Sequence, residues 1–465
     1  MTMTSDRPTV ATGPDIERLR AGADAIRSIG ERSDRLRRLE EHLRAHEAEY
    51  AEALASDLGK SATEAWSTEI GFVIGQSRYA RRHLREWTRP RRVALPAVAR
   101  PGRARVIPTP VGVVCVVAPW NYPLNLALAP AVAALAAGNA VVVKPSELAP
   151  ATSALIERHL PDVLGRDICE VVTGGAEITS ALLAERFDHI FYTGGGRVGR
   201  IVMEAAARHL TPVTLELGGR SPAIVCSDAD LAVTARRIVW GKFINAGQTC
   251  VAPDHVIVER EVADRLTALI RSEIERAFGE DPSESPDYGR IINGHHVERL
   301  SRLIAKSGAA EVIGGRIDPA TRYVEPTILV EPDPTSEVLS EEIFGPLLPV
   351  LAVDDLDATL DSIRRGPTPL AMYVFSSSDD RARAILERVP SGGAVVNHTL
   401  LQLAVHELPF GGMGESGHGS YHGRAGFDRL SHLRSVLQRP TRPDPRIAYP
   451  PYGRVARSLL RRLTG

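Results

Sequence analysis

The first strong pattern along the chain is helical. Leu36, Leu39, Leu43, Tyr50, Leu54 and Leu58 fall on one face of a helix whose other face is Arg and Glu, and the run ends at Gly59. This predicts a long amphipathic helix stopped by glycine, the residue that most easily takes the left-handed conformation at a helix end. Residues 88–105 break the pattern with Pro90, Pro96 and Pro101 among six arginines. Proline cannot donate to an interior ladder, so this segment predicts an exposed arm or edge. A solvated loop and an oligomer contact both fit it.

From Val111 the period changes. Short apolar, β-rich runs at 111–117, 140–143, 168–172, 187–192 and 213–217 alternate with helical stretches. Continuous apolar strands separated by helices imply a parallel sheet covered on both faces, hence a doubly wound α/β domain. A second series begins at 222–226, passes through 255–259 and reaches 394–397, with helical intervals. A second α/β domain is therefore expected, with a boundary near Gly218-Gly219. The longest apolar stretch, 126–143, is interrupted by Pro130, Gly138 and Asn139. It reads as helix, turn and strand, not as a membrane span.

Composition narrows the class. A chain of 465 residues, 43% apolar and 24% charged, is long enough for two large domains. A net charge of −1 supplies no global field towards nucleic acid. The four cysteines, Cys115, Cys169, Cys226 and Cys250, form no CxxC pair, which fits a reduced, cytoplasmic setting and argues against a disulfide framework or structural zinc. The opening residues show no basic segment followed by an apolar run, so no secretory signal is expected.

Two segments carry candidate chemistry. Thr193-Gly194-Gly195-Gly196-Arg197-Val198-Gly199 follows a strand and opens a helix, where backbone amides can approach phosphate. A glycine turn used only for packing has the same appearance. A nucleotide reading also recruits Glu216 as a ribose ligand. In the second segment Cys250 follows Gly247-Gln248-Thr249 and sits among polar and turn residues, whereas Cys115, Cys169 and Cys226 lie in apolar strand runs and read as inert core.

The segment Gly241-Lys242-Phe243-Ile244-Asn245-Ala246-Gly247-Gln248-Thr249-Cys250 resembles the nucleophile segment of the aldehyde dehydrogenase family. Pro119-Trp120-Asn121-Tyr122-Pro123, Lys144-Pro145-Ser146-Glu147, Glu216-Leu217-Gly218-Gly219, Glu342-Ile343-Phe344-Gly345-Pro346 and Pro409-Phe410-Gly411-Gly412 follow the family's order and separations. The resemblance covers nearly the whole chain. Ser416-Gly417-His418-Gly419-Ser420-Tyr421-His422-Gly423 and Tyr449-Pro450-Pro451-Tyr452 resemble its class-three branch, which acts on fatty and aromatic aldehydes.

The resemblance implies a mechanism. An aldehyde cannot release hydride until a nucleophile makes its carbon tetrahedral, and a thiolate does this well. Cys250 is the implied nucleophile, Asn121 the implied oxyanion donor and Glu216 the implied base for hydrolysing the thioester, a role ranked above ribose binding. The implied cofactor contacts are Trp120, Lys144, Glu147, Thr193, Gly194, Gly199, Leu217, Glu342 and Phe344. Lys144 and Glu147 are expected at the adenine ribose, Glu342 at the nicotinamide ribose and Phe344 near the nicotinamide ring. A glutamate opposite the ribose 2′ position repels a 2′-phosphate, so Glu147 tilts the expectation to NAD, with NADP still compatible.

Two positions depart from the family pattern: Gly195 replaces a commoner Ser or Asn, and His398 follows Asn397 where Asp is common. His406-Glu407 has no second histidine one turn on and is followed by Pro409, which excludes a helical zinc site. His295-His296 reads as decorating a solvated helix start. Arg454, Arg457, Arg461 and Arg462 alternate with Val455, Leu459, Leu460 and Leu463. That amphipathic tail suits a cover over a partner subunit, the favoured reading, or a peripheral contact with an anionic membrane.

The expected architecture is thus an α/β fold of two doubly wound parallel-sheet domains with a small oligomerisation element. Residues 1–87 and 106–217 are expected to form the NAD(P)-binding domain and 218–396 the catalytic domain. Residues 88–105 and 397–465 are expected to form the oligomerisation arm and C-terminal segment of a homodimer. Two rivals stand beside an acid-forming enzyme: a CoA-acylating aldehyde dehydrogenase, which needs no hydrolytic base, and a catalytically silent NAD-binding protein.

Overall fold

The first sheet grows from the strands expected at its centre. In the computed structural model, which describes residues 13–26, 28–444, 446 and 449–464, its order is Gly417–His418, Val213–Leu217, His189–Gly194, Val113–Val117, Ala140–Lys144 and Cys169–Val171. The last five run parallel, and Gly417–His418 adds an antiparallel edge. Every residue of Val113–Val117 and Ala140–Lys144 is buried, as unbroken apolar strands must be between two layers of helix. The opening residues read for a secretory signal lie outside the described residues.

The second sheet starts directly after Gly218-Gly219. Its order is Glu311–Ile313, Thr327–Val330, Leu347–Val353, Pro253–Glu259, Ser221–Val225, Ala371–Phe375 and Gly393–Val396, parallel except at the Glu311–Ile313 edge. Side chains alternate between the faces of a strand. Ala223, Val225, Tyr373 and Phe375 accordingly join one core, and Ile224, Cys226, Met372 and Val374 another. This sheet too is covered on both sides.

Two expectations change in detail. The single helix expected over Leu36 to Leu58 is two helices, Ile29–Ala45 and Glu47–Leu58. His46 leaves helical geometry between them and places its Nδ1 3.0 Å from the His42 carbonyl. The apolar face stays buried across the break, and Gly59 ends the run with φ 65°. The segment 397–465 divides. Gly417–His418 extends the first sheet, and Tyr421, Phe427 and Leu430 pack into the first core. Only from Ser431 does the chain join the arm, where Ser431–Gln438, Arg103–Pro110 and Arg91–Val93 make an antiparallel three-stranded sheet. The helix Arg454–Thr464 lies against Ala97–Ala99, with Ala456 buried and Val455 and Leu459 exposed.

One buried ion pair ties the N-terminal helices to the first domain. Glu69 lies on a π-helical turn, Trp66–Ile70, a form that is rare and concentrated near functional sites. It meets Lys60 at 2.6 Å, and both side chains are fully buried. Its Oε2 also accepts from the backbone N–H groups of Leu124 (3.1 Å) and Asn125 (2.8 Å). These open the helix Asn125–Ala137, which has no side-chain cap of its own. Glu69 thus satisfies donors that a helix start leaves free and places negative charge at the positive end of the dipole. Removing Lys60 strands a buried charge. Lys60→Met is expected to destabilise the protein by about 3–5 kcal/mol, read as a fall in the denaturant midpoint; an unchanged midpoint refutes this role.

Candidate active site

Each chemical side chain stands where a strand or helix ends. Glu216 is the fourth residue of Val213–Leu217, beside Thr193 on the neighbouring strand. Trp120 and Asn121 follow Val113–Val117. Cys250 follows the helix Leu231–Phe243 and the turn Ile244–Gly247. Ligands of open α/β sheets bind beyond such strand ends, where chain segments diverge.

Cys250 lies where two cavities meet and lines both. One, about 310 Å³, is bordered by Trp120, Asn121, Thr193, Gly194, Glu216, Leu217, Glu342 and Phe344. The other, about 370 Å³, is walled by Phe72, Tyr122, Leu126, Trp240, Ile244, Leu400 and Phe410, and among the described residues no Asp, Glu, Lys or Arg lines it. Tyr122, Ile244 and Phe410 lie within the quoted motifs, whereas Phe72, Leu126, Trp240 and Leu400 belong to none, and no motif marked any of the seven as a wall.

The turn that presents Cys250 is held against its own preference. Asn245 (φ 53°), Ala246 (φ 49°) and Gly247 (φ 75°) are left-handed in succession, and each L-residue there costs about 1–2 kcal/mol. A Cβ at Gly247 would collide with the Gly345 backbone. Hydrogen bonds oppose the strain. Asn245 Nδ2 donates to the Asn121 carbonyl (2.8 Å) and the Gln248 carbonyl (3.1 Å), and Asn121 Nδ2 donates to the same Gln248 carbonyl (3.0 Å). Gln248 Nε2 donates to the carbonyls of Asn245 and Arg290, both at 3.0 Å, and its Oε1 accepts from the Ile292 N–H at 2.9 Å. Tyr122 and Thr249 share a hydrogen bond of 2.6 Å. Segments of both domains meet here.

Burial dominates the electrostatics. The Glu216 carboxylate is buried with no hydrogen-bond partner among the described residues on either oxygen, and burial raises its pKa well above the usual carboxylate range against a weaker pull from Arg429. Burial, followed by Glu342 and Glu216, pushes the Cys250 thiol up to about 12, opposed by the backbone N–H groups of Cys250 and Val251. Burial and Asp254 lift Glu342 to about 8, opposed by the Gly219 N–H, Arg299 and Lys242.

The first cavity suits a dinucleotide end. Thr193 Oγ1, both Glu216 oxygens and Glu342 Oε1 are buried without partners, a condition that marks groups awaiting a ligand or water. Trp120 and Phe344 flank it with ring centroids 5.3 Å apart. Lys144 and Glu147 do not line it. They pair with each other at 2.6 Å beyond Ala140–Lys144, beside the strand that leads to Trp120. Gly199 packs its helix onto Leu217, leaving 2.9 Å for a Cβ. Gly195 has open space where its side chain would be.

Sequence reasoning missed part of this cavity. His296 is not solvated decoration: it lines the cavity and its ring lies 5.1 Å from Trp120. Three residues on, Arg299 donates to the carbonyls of Ile343 (2.8 Å) and Phe344 (3.2 Å), pinning the turn that carries Glu342. Their one-turn spacing beside the buried Val297 and Leu300 was the available signal. His398 stands 5.6 Å from Trp240 at the apolar cavity. Glu407 accepts from Tyr79 at 2.8 Å. Cys115, Cys169 and Cys226 are buried, and Cys250 is partly exposed.

A carboxyl group whose pKa is raised by burial has a thermodynamic signature. The folded pKa of Glu216 lies above its unfolded value of about 4.3, so its stabilising contribution is full below that value and is lost as pH rises through the folded pKa. Glu216→Gln is therefore expected to match the wild-type melting temperature near pH 4.3 and to exceed it increasingly at alkaline pH. A melting-temperature difference that shrinks as pH rises contradicts this.

Comparison with known proteins follows the same lines. The sequence profile of the Aldehyde dehydrogenase family matches residues 20–436. Aldehyde dehydrogenase family 3 member H1 of Arabidopsis thaliana is 44% identical over 421 residues, covering 90% of this chain and 87% of the relative. A dimeric NADP-preferring aldehyde dehydrogenase of Canis lupus familiaris is 41% identical over 440 residues, covering 94% and 97%. The substrate-bound structure of Staphylococcus aureus AldH superposes with a TM-score of 0.93 at 37% identity, covering 96% of this chain and 98% of that one.

Proposed function

The chain belongs to the aldehyde dehydrogenase family, and we propose that it works through a thioester on Cys250 that water, activated by Glu216, resolves to a free acid. The coarser activity, NAD(P)-dependent oxidation of an aldehyde to a carboxylic acid, comes with the family. The observation that carries the finer reading is the place of Cys250 at the junction of an apolar cavity and a polar one, with the unpartnered Glu216 carboxylate in the latter.

The aldehyde enters along the apolar side and Cys250 Sγ attacks its carbon. Glu216, a stronger base than an exposed carboxylate, is suited to take the thiol proton. Negative charge develops on the carbonyl oxygen, where the Asn121 side-chain amide and the Cys250 backbone N–H are the proposed donors. NAD(P)+, when bound, supplies a hydride acceptor. Glu342, Thr193, Trp120 and Phe344 would hold its nicotinamide end, and Lys144 and Glu147 its adenine ribose. Once the adduct has lost its hydride, Cys250 carries an acyl group; Glu216, having passed the thiol proton to solvent, takes a proton from water, whose hydroxyl adds to the acyl carbon and releases the acid as the Cys250 thiolate leaves.

The buried carboxylate favours hydrolysis over transfer to CoA, which needs no base in this position. It also weighs against a silent binding protein, because maintaining it costs stability. Glu147 tilts the cofactor towards NAD, with NADP also accepted. The uncharged cavity favours medium-chain aliphatic or aromatic aldehydes over ionic ones.

The assembly proposed is a homodimer built on the arm and C-terminal segment, where Val93, Leu433, Leu437, Val455 and Leu459 are exposed. The arginine-bearing tail then covers the partner; peripheral contact with an anionic membrane is the second reading. Among the described residues no helix is long and apolar enough to cross a membrane. Four free cysteines accord with the cytoplasm.

Cys250→Ala is expected to abolish NADH formation while NAD still binds, measured by absorbance and by fluorescence titration. Substantial remaining dehydrogenase activity overturns the assignment.

A further inference from the structure

The turn before Cys250 is anchored through Gln248, and what anchors Gln248 reaches beyond both cavities. Its side-chain amide donates to the Arg290 carbonyl and accepts from the Ile292 N–H. That segment of the second domain is itself held from its outer side. The Arg290 N–H donates to the Leu58 carbonyl at 2.7 Å, the Ile291 N–H donates to the Arg322 carbonyl at 3.0 Å, and Arg322 Nη1 donates to the Ile292 carbonyl at 2.9 Å.

Arg322 extends the path into the first domain. The same Nη1 donates to the Asp57 carbonyl at 2.7 Å, and Nη2 donates to the Ser56 carbonyl at 3.2 Å. Ser56, Asp57 and Leu58 close the helix Glu47–Leu58, and the last carbonyls of a helix have no partner within it. A guanidinium here meets the negative end of the helix dipole, and its planar fork reaches carbonyls of both domains at once. Arg322 is left-handed, with φ 57°, a conformation that costs an L-residue energy. It is not among the residues that line either cavity. A strained residue remote from the chemistry thus joins the end of a first-domain helix to the segment on which both ends of the Gln248 amide rest.

We propose that Arg322 is a positioning residue for Cys250: it latches the two domains at this helix end and, through the 290–292 segment and Gln248, fixes the left-handed turn that presents the thiol, without touching a reacting atom. Every link in the path is a hydrogen bond, from Ser56 and Asp57 to Arg322, to Ile291 and Ile292, to Gln248 and to the Asn245 carbonyl. The inference rests on Cys250 being the nucleophile.

The test uses the full chain with Arg322→Ala, which removes the fork, and Arg322→Lys, which keeps the charge as a point donor on a different geometry. Alkylation of the Cys250 peptide by iodoacetamide is followed by mass spectrometry, beside kcat, KM, NAD binding and melting temperature. Arg322→Ala is expected to slow alkylation and lower kcat about tenfold to a hundredfold, the scale of a small misplacement of a reacting group, with KM and NAD binding little changed. Arg322→Lys is expected to fall between it and the wild type. Millimolar guanidinium chloride, but not sodium chloride, is expected to restore part of the alkylation rate and kcat to Arg322→Ala.

A folded Arg322→Ala protein with wild-type alkylation and kcat overturns the proposal. So does guanidinium that restores its melting temperature while leaving alkylation and kcat low, the mark of a merely structural role. If Arg322→Ala does not fold, Arg322→Lys decides: wild-type alkylation and kcat overturn the proposal, and a joint fall with KM little changed supports it. Failure of the nucleophile reading looks different, since Cys250→Ala then turns over whatever the Arg322 variants do.

Discussion

The site depends on one constraint: Cys250 is presented by a turn that its residues do not favour, and the turn persists because two domains hold it. Asn245 and Ala246 are left-handed without being glycine. Their strain is opposed by a closed set of hydrogen bonds in which Asn121 comes from the first domain and Asn245, Gln248 and Ile292 from the second. Neither domain alone supplies that set. The same contact places the proposed oxyanion donor beside the thiol and brings Glu216 to the shared cavity.

The electrostatics follow from this burial. Burial raises the pKa of Glu216, Glu342 and Cys250 alike, and the two glutamates add to the cost of ionising the thiol. A carboxylate with no hydrogen-bond partner is a liability to the fold and an advantage to a base, because its proton affinity rises towards that of the groups it must deprotonate. The Lys60–Glu69 pair has the opposite character. It is mutually satisfied, caps the helix after Asn121 and fixes the first-domain side of the site.

Much of the fold was legible because strands buried on both faces leave continuous apolar runs. The expected strands at 140–143 and 213–217 differ from those observed by at most one residue. Leu347–Val353 and Ala371–Phe375 went unread, since Pro349 interrupts the first and short apolar runs carry little periodicity. The helix break at His46 depends on a local ring-to-carbonyl contact that no period records. In the site, motif residues were legible because their chemistry demands particular side chains. Phe72, Leu126, Trp240, Leu400, His296 and Arg299 were not, because walls need only shape and arise from segments far apart in sequence. Residues 417–430 return to the first core through small contacts, including Gly417 beside Glu216, that composition does not reveal.

The central claim is that the acyl group passes through Cys250 and leaves to water with the help of Glu216. The most direct measurement is peptide-mapped mass spectrometry of Glu216→Gln, quenched during turnover with NAD and a simple aliphatic aldehyde. The account predicts an acyl adduct on the Cys250 peptide that forms only with both reactants and outlasts the one on the wild type. Undiminished turnover without an adduct, or an adduct on another residue, contradicts it.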